Sequence, residues 1–577
     1  MNAERLLAHY ARIADALEAI LRLRRFVLDL AVRGKLVPQD LNDEPASELL
    51  NRIAAEKARM VKAGEISKPK PLSPLEDREL PFGVPVGWAV APLDELSPRS
   101  LSDGDWIETK DQSVNGGVRL IQLADVGVGE FLNKSARFVT EETEVRLNCT
   151  RLAVGDVLIA RLPNPIGRAC IFPDIGQPAI TAVDVAILRP DSNVSGDFLV
   201  LAMNSPPIRE QIEAYGKGAT RFRVSTGHLK TVQIPLPPLA EQHRIVAKVD
   251  ELMALCDRLE AARAKREATR DRFTAASLAR LNAPDPDTFR DDARFAFNAL
   301  PALAARADQI KQLRQTILSL AVVGKLTAST TTGASASTEL DAVKAKKEQL
   351  NLKKPRAIVP ISLDEHWCEL PNGWVWARWD QITDWITYGF TRPMPHTKDG
   401  VPIITGKNVN QGKIIFETAD RTPTSSYQEL NEKDRPKRGD ILITKDGSIG
   451  RTAIVDSDEP FCINQSVAVL WLRSCHFDRR FLQLTLDCPQ TQQSLLAKTE
   501  GVAIKHISII DLGKMVFPVP PIAEQRRVVA RVDELMTLCG RLEASLTTAD
   551  ETRRRLLEAL LAQALAPGGE RELEAAE

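Results

Sequence analysis

Two sets of side chains in this sequence carry the donors needed to read nucleic-acid bases. Arg, Lys, Asn and Gln present N–H groups that match base edges in a major groove, and Arg and Lys also bind phosphate. We interpret both sets as candidate contacts to double-stranded DNA, with a solvated surface charge as the alternative for any single residue. The first set is Gln122, Arg161, Asn164, Arg168, Thr220, Arg221 and Arg223, with Phe222 inside the last run. The second set is Lys407, Asn408, Lys445, Ser448, Arg451, Lys505 and His506.

Sequence motifs for catalysis are missing. A phosphate-binding P-loop needs Gly-Lys followed by Ser or Thr, and no Gly-Lys pair here has that neighbour. The Asn/Asp-Pro-Pro-aromatic tetrapeptide of a methyltransferase is also absent, since NPIG at 164–167 lacks the second proline and the aromatic residue. The seven histidines and eight cysteines show neither a nucleophile triad nor zinc-ligand spacing. We therefore predict no catalytic residue, no metal and no bound cofactor for the isolated chain.

The overall charge is nearly balanced. The 577 residues include 76 Lys plus Arg and 77 Asp plus Glu, so any polyanion must be met by local basic patches rather than by a global positive field. No uncharged apolar stretch reaches about 18 residues, the length that a membrane span requires. We expect a soluble cytoplasmic protein without a secretion signal or a membrane partner.

The two candidate sets occupy equivalent places in a sequence repeat, the feature to be sought before any fold is inferred. The strongest match pairs IPLPPLAEQHRIVAKVDELMALCDRLEA at 234–261 with FPVPPIAEQRRVVARVDELMTLCGRLEA, which begins at Phe517. Three shorter matches precede it. LAVRGKL (30–36) matches LAVVGKL (320–326), each after a Leu-Arg pair, and ELPFGVPVGW (79–88) matches ELPNGW (369–374). RLAVGDVLIARLPNPIGRACIF (151–172) matches RPKRGDILITKDGSIGRTAIV (435–455). The chain is therefore two copies of one module, and the copies differ most in their polar loops.

Each copy combines a β-rich domain with a long helix. The apolar residues of the helix follow the 4-3-4-3 spacing of a coiled-coil seam: Ile245, Val249, Leu252, Cys256 and Leu259, and again Val528, Val532, Leu535, Cys539 and Leu542. The first of these helices, about 43 residues long, would span roughly 65 Å. Ahead of each helix, short β-branched runs bounded by Gly, Pro, Asp and Asn predict an α+β domain with a mixed or antiparallel sheet.

Changes in composition divide the chain into eight segments. The Ser/Thr/Gly/Ala run at 328–338 and the Lys/Pro/Ser-rich run at 62–74 predict mobile linkers. The predicted segments are an N-terminal helical segment (1–40), a linker (41–78), a first α+β domain (79–237), a central long helix (238–282), a helical repeat segment (283–327), a flexible linker (328–364), a second α+β domain (365–520) and a C-terminal long helix (521–566).

These doubled motifs resemble a known family. Taken together, they are similar to motifs of the specificity subunit of type I restriction-modification enzymes. The motifs are the PLPP-type stretch that opens a long helix with Ala-Glu-Gln, the LAV-x-GKL helix end, the Pro-x-Gly-Trp start and the Gly-Asp-(Val/Ile)-Leu-Ile core. The resemblance covers nearly the whole chain. It implies that the two α+β domains are target-recognition domains, each of which reads one half of a split, asymmetric DNA sequence.

The resemblance also implies partners. The two long helices would pack antiparallel as a coiled-coil ruler between the domains and dock two methyltransferase (M) subunits, which restriction (R) subunits join for cleavage. S-adenosylmethionine, ATP and magnesium would then be bound by the partners and not by this chain. Because a helix rises 1.5 Å per residue while DNA advances about 3.4 Å per base pair, helix length would fix the gap between half-sites.

Three further features have competing interpretations. Arg168 and Arg451 both follow Ile-Gly, which suggests a shared role, either phosphate anchoring or a structural ion pair. The basic run at 263–272 is interpreted as a contact to a methyltransferase subunit, or as a solubilising surface, in preference to a DNA site. Trp88 and Trp374 are interpreted as packing the start of each domain in preference to stacking on a base.

One alternative function stays open at this point. The chain could be a coiled-coil scaffold of a multi-subunit complex whose α+β domains bind something other than DNA. Divergent polar loops beside near-identical helices favour two different ligands read through one shared frame, as a bipartite DNA site requires. A methylation assay with S-adenosylmethionine on the purified chain separates a recognition module from an enzyme, because activity without partners would contradict the non-catalytic interpretation.

Overall fold

The computed structural model describes residues 15–16, 18–68, 80–218, 222–283, 285, 287–327, 335–349, 358–410, 412–497 and 506–566. The chain forms two compact units: one ends at Lys265 and resumes at Asp550, and the other is Arg266–Ala549. We call them unit 1 and unit 2. Each unit therefore contains the beginning of one long helix and the end of the other.

The domain in unit 1 is built on three small sheets. The largest has four antiparallel strands in the order β2-β8-β5-β6, the next has the order β4-β3-β7 with β3 and β7 parallel, and β1 pairs with β9. The strands are β1 Ala89–Pro92, β2 Ser102–Asp103, β3 Val118–Ile121, β4 Phe138–Val139, β5 Val157–Ala160, β6 Ala169–Ile171, β7 Ala179–Thr181, β8 Val185–Leu188 and β9 Gln233–Leu236.

The domain in unit 2 repeats this strand order. Its four-stranded sheet runs β11-β19-β16-β17, its three-stranded sheet β15-β12-β18 has one parallel pair, and β10 pairs with β20. A short hairpin, β13-β14, stands where unit 1 has a single antiparallel bridge between Val126 and Phe131. The strands are β10 Val375–Arg378, β11 Trp385–Tyr388, β12 Val401–Ile404, β13 Val409–Asn410, β14 Lys413–Ile414, β15 Asp420–Thr422, β16 Ile441–Thr444, β17 Thr452–Ile454, β18 Cys462–Ile463, β19 Val467–Trp471 and β20 Val516–Val519.

The central strands are apolar throughout because both of their faces are covered. In β5, Val157 and Ile159 join the cluster that contains Phe198, whereas Leu158 and Ala160 join a second cluster with residues of the three-stranded sheet. A strand buried on both faces reads as a continuous hydrophobic run instead of an alternating one. The mixed α+β fold and the internal repeat are thus confirmed.

Helices surround the sheets and connect the two copies. In unit 1, α4 lies against β6, and in unit 2 α14 lies against β17. The described helices are α1 Ala19–Val32, α2 Ala46–Lys62, α3 Glu141–Leu147, α4 Gly196–Asn204, α5 Pro206–Ala214, α6 Thr226–Lys230, α7 Leu239–Asn282, α8 Phe289–Asn298, α9 Leu300–Leu303, α10 Ala307–Val322, α11 Ala336–Gln349, α12 Trp379–Ile382, α13 Thr424–Gln428, α14 Arg479–Asp487, α15 Pro489–Ala497, α16 Ile509–Lys514 and α17 Ile522–Leu565.

The predicted seam of each long helix is buried in a cluster with the short repeat helix of its own unit. In unit 1, Ile245 and Val249 of α7 share a cluster with Val27 and Ala31 of α1. In unit 2, the cluster around α17 and α10 contains Val528, Val532, Cys539, Ile310 and Ile317. α1 and α10 therefore pack on the seam, although the sequence marks each of them only by a short motif repeated at its end.

The doubled Leu-Arg pair has the same role in both units. Arg24 of α1 donates to Asp257 at 2.6 Å and to Glu260 at 2.8 Å on α7. Its counterpart on α10, Arg314, donates to Glu543 of α17 at 2.8 Å. These partly exposed ion pairs fix the register of the short helix on the long one more than they add stability.

Two predicted linkers contain helices, which corrects the sequence interpretation. Residues 41–78 include α2, and residues 328–364 include α11. Both helices are held by apolar residues at helical spacing, Leu49 and Ile53 in α2 and Ala336 and Val343 in α11, all buried. The composition of the flanking residues concealed this periodicity. The remaining linker residues 69–79, 328–334 and 350–357 lie outside the described part of the chain.

The described helices include none that is both long enough and apolar enough to cross a membrane.

Candidate nucleic-acid interface

The candidate residues lie near one end of the strands in each four-stranded sheet. In unit 1, the last residue of β5 pairs with the first of β8, Ala160 with Val185, and β2 ends beside them. In unit 2, Thr444 at the end of β16 pairs with Val467 at the start of β19. We call this the loop edge, because the segments that follow β2, β5, β11 and β16 all leave the sheet there.

Arg161 is the first residue after β5 and its side chain is buried at the loop edge. Its guanidinium pairs with Asp103 and donates to the carbonyls of Val183 and Val224, each at 3.1 Å. Burial lowers the pKa of this guanidinium from its usual value. Arg161 therefore ties the end of β2, the β7–β8 turn and residue 224 into one assembly.

Arg223 reaches the same turn from another segment. Its guanidinium lies 3.4 Å from the Val183 carbonyl oxygen and 3.7 Å from the Asp184 carboxylate. The adjacent backbone N–H of Val224 donates to the Arg161 carbonyl at 3.1 Å. The structure thus brings Arg161 and Arg223 together. The neighbouring candidates Thr220 and Arg221 lie outside the described residues.

Arg168 is buried and holds the loop together. Its guanidinium donates to four carbonyl oxygens, those of Val126 at 2.6 Å, Leu123 at 2.7 Å, Pro165 at 3.1 Å and Leu162 at 3.2 Å. Arg168 therefore has a structural role, which it fills by hydrogen bonds to carbonyl oxygens and not by an ion pair. Arg451, at the equivalent position, is exposed. The predicted shared role of the two arginines is therefore wrong.

The other candidates of unit 1 lie beside these arginines. Gln122 is half-buried and begins the turn whose Leu123 carbonyl binds Arg168. Its backbone N–H donates to the buried carboxylate of Asp125 at 2.8 Å. Asn164 is exposed in the loop that Arg168 braces. All described candidates of this domain thus belong to one group of adjoining loops.

Lys445 is the counterpart of Arg161 in unit 2. Its ammonium lies 2.9 Å from the Asp446 carboxylate and 5.1 Å from the centre of the Tyr388 ring. The Lys445 carbonyl accepts from the N–H of Ile507 at 3.0 Å, as Arg161 accepts from Val224. His506, which is exposed, forms a backbone bridge with Asp446. Lys505 lies outside the described residues.

The turn at 406–408 meets Lys445 through one serine. Ser466 accepts from the N–H of Gly406 at 2.9 Å on its hydroxyl and from the N–H of Lys445 at 2.9 Å on its carbonyl. Lys407 is exposed and pairs with Asp420 at 3.0 Å. Asn408 is fully buried, where its amide oxygen accepts from the Thr405 N–H at 3.1 Å. Asn408 therefore shapes the turn.

The structure sorts the candidates by exposure. Three of them, Arg161, Arg168 and Asn408, are buried and build the loops, so their donors are used by the protein itself. That any candidate touches DNA stays a prediction. The half-buried candidates are Gln122, Arg223 and Lys445, and the exposed ones are Asn164, Lys407, Ser448, Arg451 and His506.

The Ala-Glu-Gln motif has a role that the sequence interpretation missed. Gln242 of α7 is fully buried; its amide oxygen accepts from the Ser195 N–H at 2.8 Å and its amide nitrogen donates to the Pro237 carbonyl at 2.9 Å. Gln525 makes the same two bonds, with the Asp478 N–H and the Pro520 carbonyl, each at 2.9 Å. The signal for this joint was the identity of the motif in both copies.

The glutamate of the same motif holds the start of the first domain. Glu241 accepts from the indole N–H of Trp88 at 3.0 Å and from the Gln39 amide at 2.8 Å. Burial raises the pKa of the Glu241 carboxyl. Trp88 and Trp374 are both buried, as expected of residues that pack the start of a domain.

The described residues contain no group of three or more His, Cys, Asp or Glu side chains placed to hold a metal ion.

Comparisons with known proteins show which family the chain is similar to. A family model described as the type I restriction modification DNA specificity domain matches residues 85–269 and 395–548. The chain is similar to the type I restriction enzyme EcoAI specificity subunit of Escherichia coli, with 31% identity and coverage of 94% of this chain and 93% of that one. For the EcoEI specificity subunit of Escherichia coli, the identity is 30% and the coverage 95% and 94%. The crystal structure of the HsdS subunit from Thermoanaerobacter tengcongensis is 19% identical, with a TM-score of 0.43 and coverage of 85% and 99%.

Proposed function

Since the chain belongs to the family of type I restriction-modification specificity subunits, we propose that it recognises a split, asymmetric sequence in double-stranded DNA. Each domain reads one half-site through the loops at its loop edge. The observation that carries this proposal is that the two domains share one strand order, while the loops that follow β5 and β16 expose Asn164 in one domain and Ser448 in the other. A common frame with different side chains is what two unlike half-sites require.

The same proposal assigns the catalytic work to partners. The long helices dock two methyltransferase subunits, and restriction subunits join them, so that S-adenosylmethionine, ATP and magnesium are bound by those chains. This chain supplies recognition and position only. The motif content of the sequence supports this division, because it has neither a P-loop nor a methyltransferase tetrapeptide.

Sequencing of modified bases in the source genome tests the proposal directly. We expect one bipartite motif to be methylated in cells with this gene and to lose its modification when the gene is deleted. Restoring the gene restores the motif. Methylation that persists after deletion would contradict the proposed function.

A domain exchange tests whether the two domains read independently. We expect that replacing residues 384–507 with the corresponding segment of a relative changes one half of the methylated motif and leaves the other half intact. This exchange keeps β10, β20, α12 and α16. It replaces α14, so the relative is chosen to retain Phe481 and Leu484, which pack in the cluster of α17. Exchanging residues 102–224 is the matched experiment and changes the opposite half. A change in both halves after either exchange would contradict independent reading.

A further inference from the structure

An exposed tryptophan stands at the loop edge of unit 1. Trp106 follows β2 by three residues, and 69% of its surface is exposed to solvent. Other exposed apolar side chains of this domain are smaller, such as Val154, which is 65% exposed in the turn before β5 at the opposite edge of the sheet. A side chain with this much apolar surface in water is a common anchor for a partner.

The base of the Trp106 loop is fixed to the residues already described. The N–H of Asp105 donates to the Thr181 carbonyl at 2.8 Å, and its carboxylate accepts from the Thr150 N–H at 2.9 Å. Asp103, two residues earlier, pairs with Arg161 and accepts from the Thr226 hydroxyl. Trp106 therefore projects from a held backbone beside the segments that carry Arg161 and Arg223.

Two acidic residues that follow Trp106 are paired with cations. Glu108 lies 2.7 Å from the Lys110 ammonium, and Asp111 lies 2.5 Å from the Arg146 guanidinium. Pairing reduces the repulsion that these carboxylates would exert on a polyanion. These two carboxylates therefore oppose the approach of a nucleic acid less than unpaired carboxylates would.

The equivalent position in unit 2 is not aromatic. Gly104 and Gly389 correspond, because each donates its N–H to the first residue of the neighbouring strand, Val185 and Val467. Two residues later stand Trp106 in unit 1 and Thr391 in unit 2, both exposed. The ring is therefore present in one domain and absent at the equivalent position of the other. A residue that determines specificity is expected to differ between the domains in this way.

We propose that Trp106 packs its ring against the bases of the half-site that the first domain reads. This inference rests on the proposed function. In duplex DNA such a ring meets base edges in a groove, as apolar side chains meet the thymine methyl group. One mismatched base pair costs about 1–3 kcal/mol, which corresponds to a roughly 5- to 150-fold change in affinity. The contact is confined to one half-site, so it separates Trp106 from a residue that binds DNA without reading it.

The test uses the full chain purified with the subunits that accompany it from source cells, and duplexes carrying the motif found by methylation sequencing. We expect Trp106→Ala to weaken binding at least 5-fold and to reduce discrimination against an altered first half-site, while discrimination at the second half-site is unchanged. Trp106→Phe, which keeps a ring, retains most of the affinity. Val154→Ala, at the opposite edge, has no effect.

Two results would overturn the inference in different ways. If the wild-type complex discriminates both half-sites and Trp106→Ala does so equally well, Trp106 is not a DNA contact and the proposed function stands. If the wild-type complex does not discriminate either half-site, the proposed function fails and the inference fails with it. The melting temperature of each variant is measured beside its affinity for DNA. A loss of affinity in Trp106→Ala supports the inference only if its melting temperature equals that of the wild type.

Discussion

The glycine of the LAV-x-GKL motif stands where there is no space for a Cβ atom. Gly34 follows α1 with a φ of +66°, and Lys35 donates to the Leu30 carbonyl at 3.0 Å, which closes the helix in a Schellman motif. A Cβ at Gly34 would lie 2.3 Å from the Pro85 Cγ and 3.2 Å from the Trp88 Cζ2. The motif and the Pro-x-Gly-Trp start are therefore repeated together because they touch.

Replacing Gly34 with alanine tests this contact. Gly64 offers a matched control, since it ends α2 with a φ of +72° and the same kind of cap, but a Cβ there would meet nothing within 4 Å. We expect Gly64→Ala to cost about 1–2 kcal/mol, the price of a left-handed alanine, and Gly34→Ala to cost about 1–3 kcal/mol more through overpacking. Hydrogen exchange of the α1 and α2 amides measures both. Equal losses in the two variants would contradict the contact.

At the scale of elements, the buried glutamine joint decides how each long helix begins. Gln242 links the N-terminus of α7 to the N-cap of α4 by a buried hydrogen bond. Gln525 does the same for α14 through Asp478. Because both partners of each amide are backbone groups, the joint is independent of the loops that differ between the domains.

Gln242→Leu removes this joint with little change in volume. It leaves the Ser195 N–H and the Pro237 carbonyl without their partner, and each buried unsatisfied group costs about 1–3 kcal/mol. We expect amide exchange in α4 to accelerate while exchange in α14 is unaltered. Gln525→Leu is the matched variant, with the opposite pattern. Equal acceleration in both helices from one substitution would show that the joints are not local.

At the scale of the whole molecule, the long helices belong to both units. The division falls after Lys265 in α7 and after Ala549 in α17, which are nearly equivalent positions of the repeat. Each unit thus keeps its own domain, its own short repeat helix and parts of both long helices. Under the proposed function, the helix length between the domains determines the spacing of the half-sites.

A seven-residue insertion at both division points tests the ruler. One heptad preserves the seam and adds about 10.5 Å of helix, which corresponds to roughly three base pairs of DNA. We expect the gap in the methylated motif to lengthen by about that amount while both half-sites are preserved. The same seven residues inserted between Thr327 and Ser335, outside both long helices, leave the gap unchanged. If the complex with the double-insertion variant still methylated the original motif, helix length would not set the gap.

Much of this architecture is contained in the sequence by itself. The repeat, the two α+β domains and the long helices follow from self-similarity and from hydrophobic spacing, because helix and strand periods are local properties of the chain. The sequence failed where local signals were weak. Lys- and Ser-rich surroundings hid α2 and α11, whose few apolar residues, such as Leu49 and Val343, are buried only because a domain surface covers them.

The candidate site shows the same limit at the level of side chains. Arg161, Arg168 and Asn408 have the chemistry of base-reading residues, yet the tertiary structure turns their donors onto carbonyls and carboxylates of their own domain. Trp106 reads in the sequence as one more apolar residue, and only the fold leaves it exposed at the loop edge. Sequence determines which donors and rings a domain owns, because composition and period are local. Which of them face solvent depends on strand ends brought together from distant parts of the chain, and only the tertiary structure decided that.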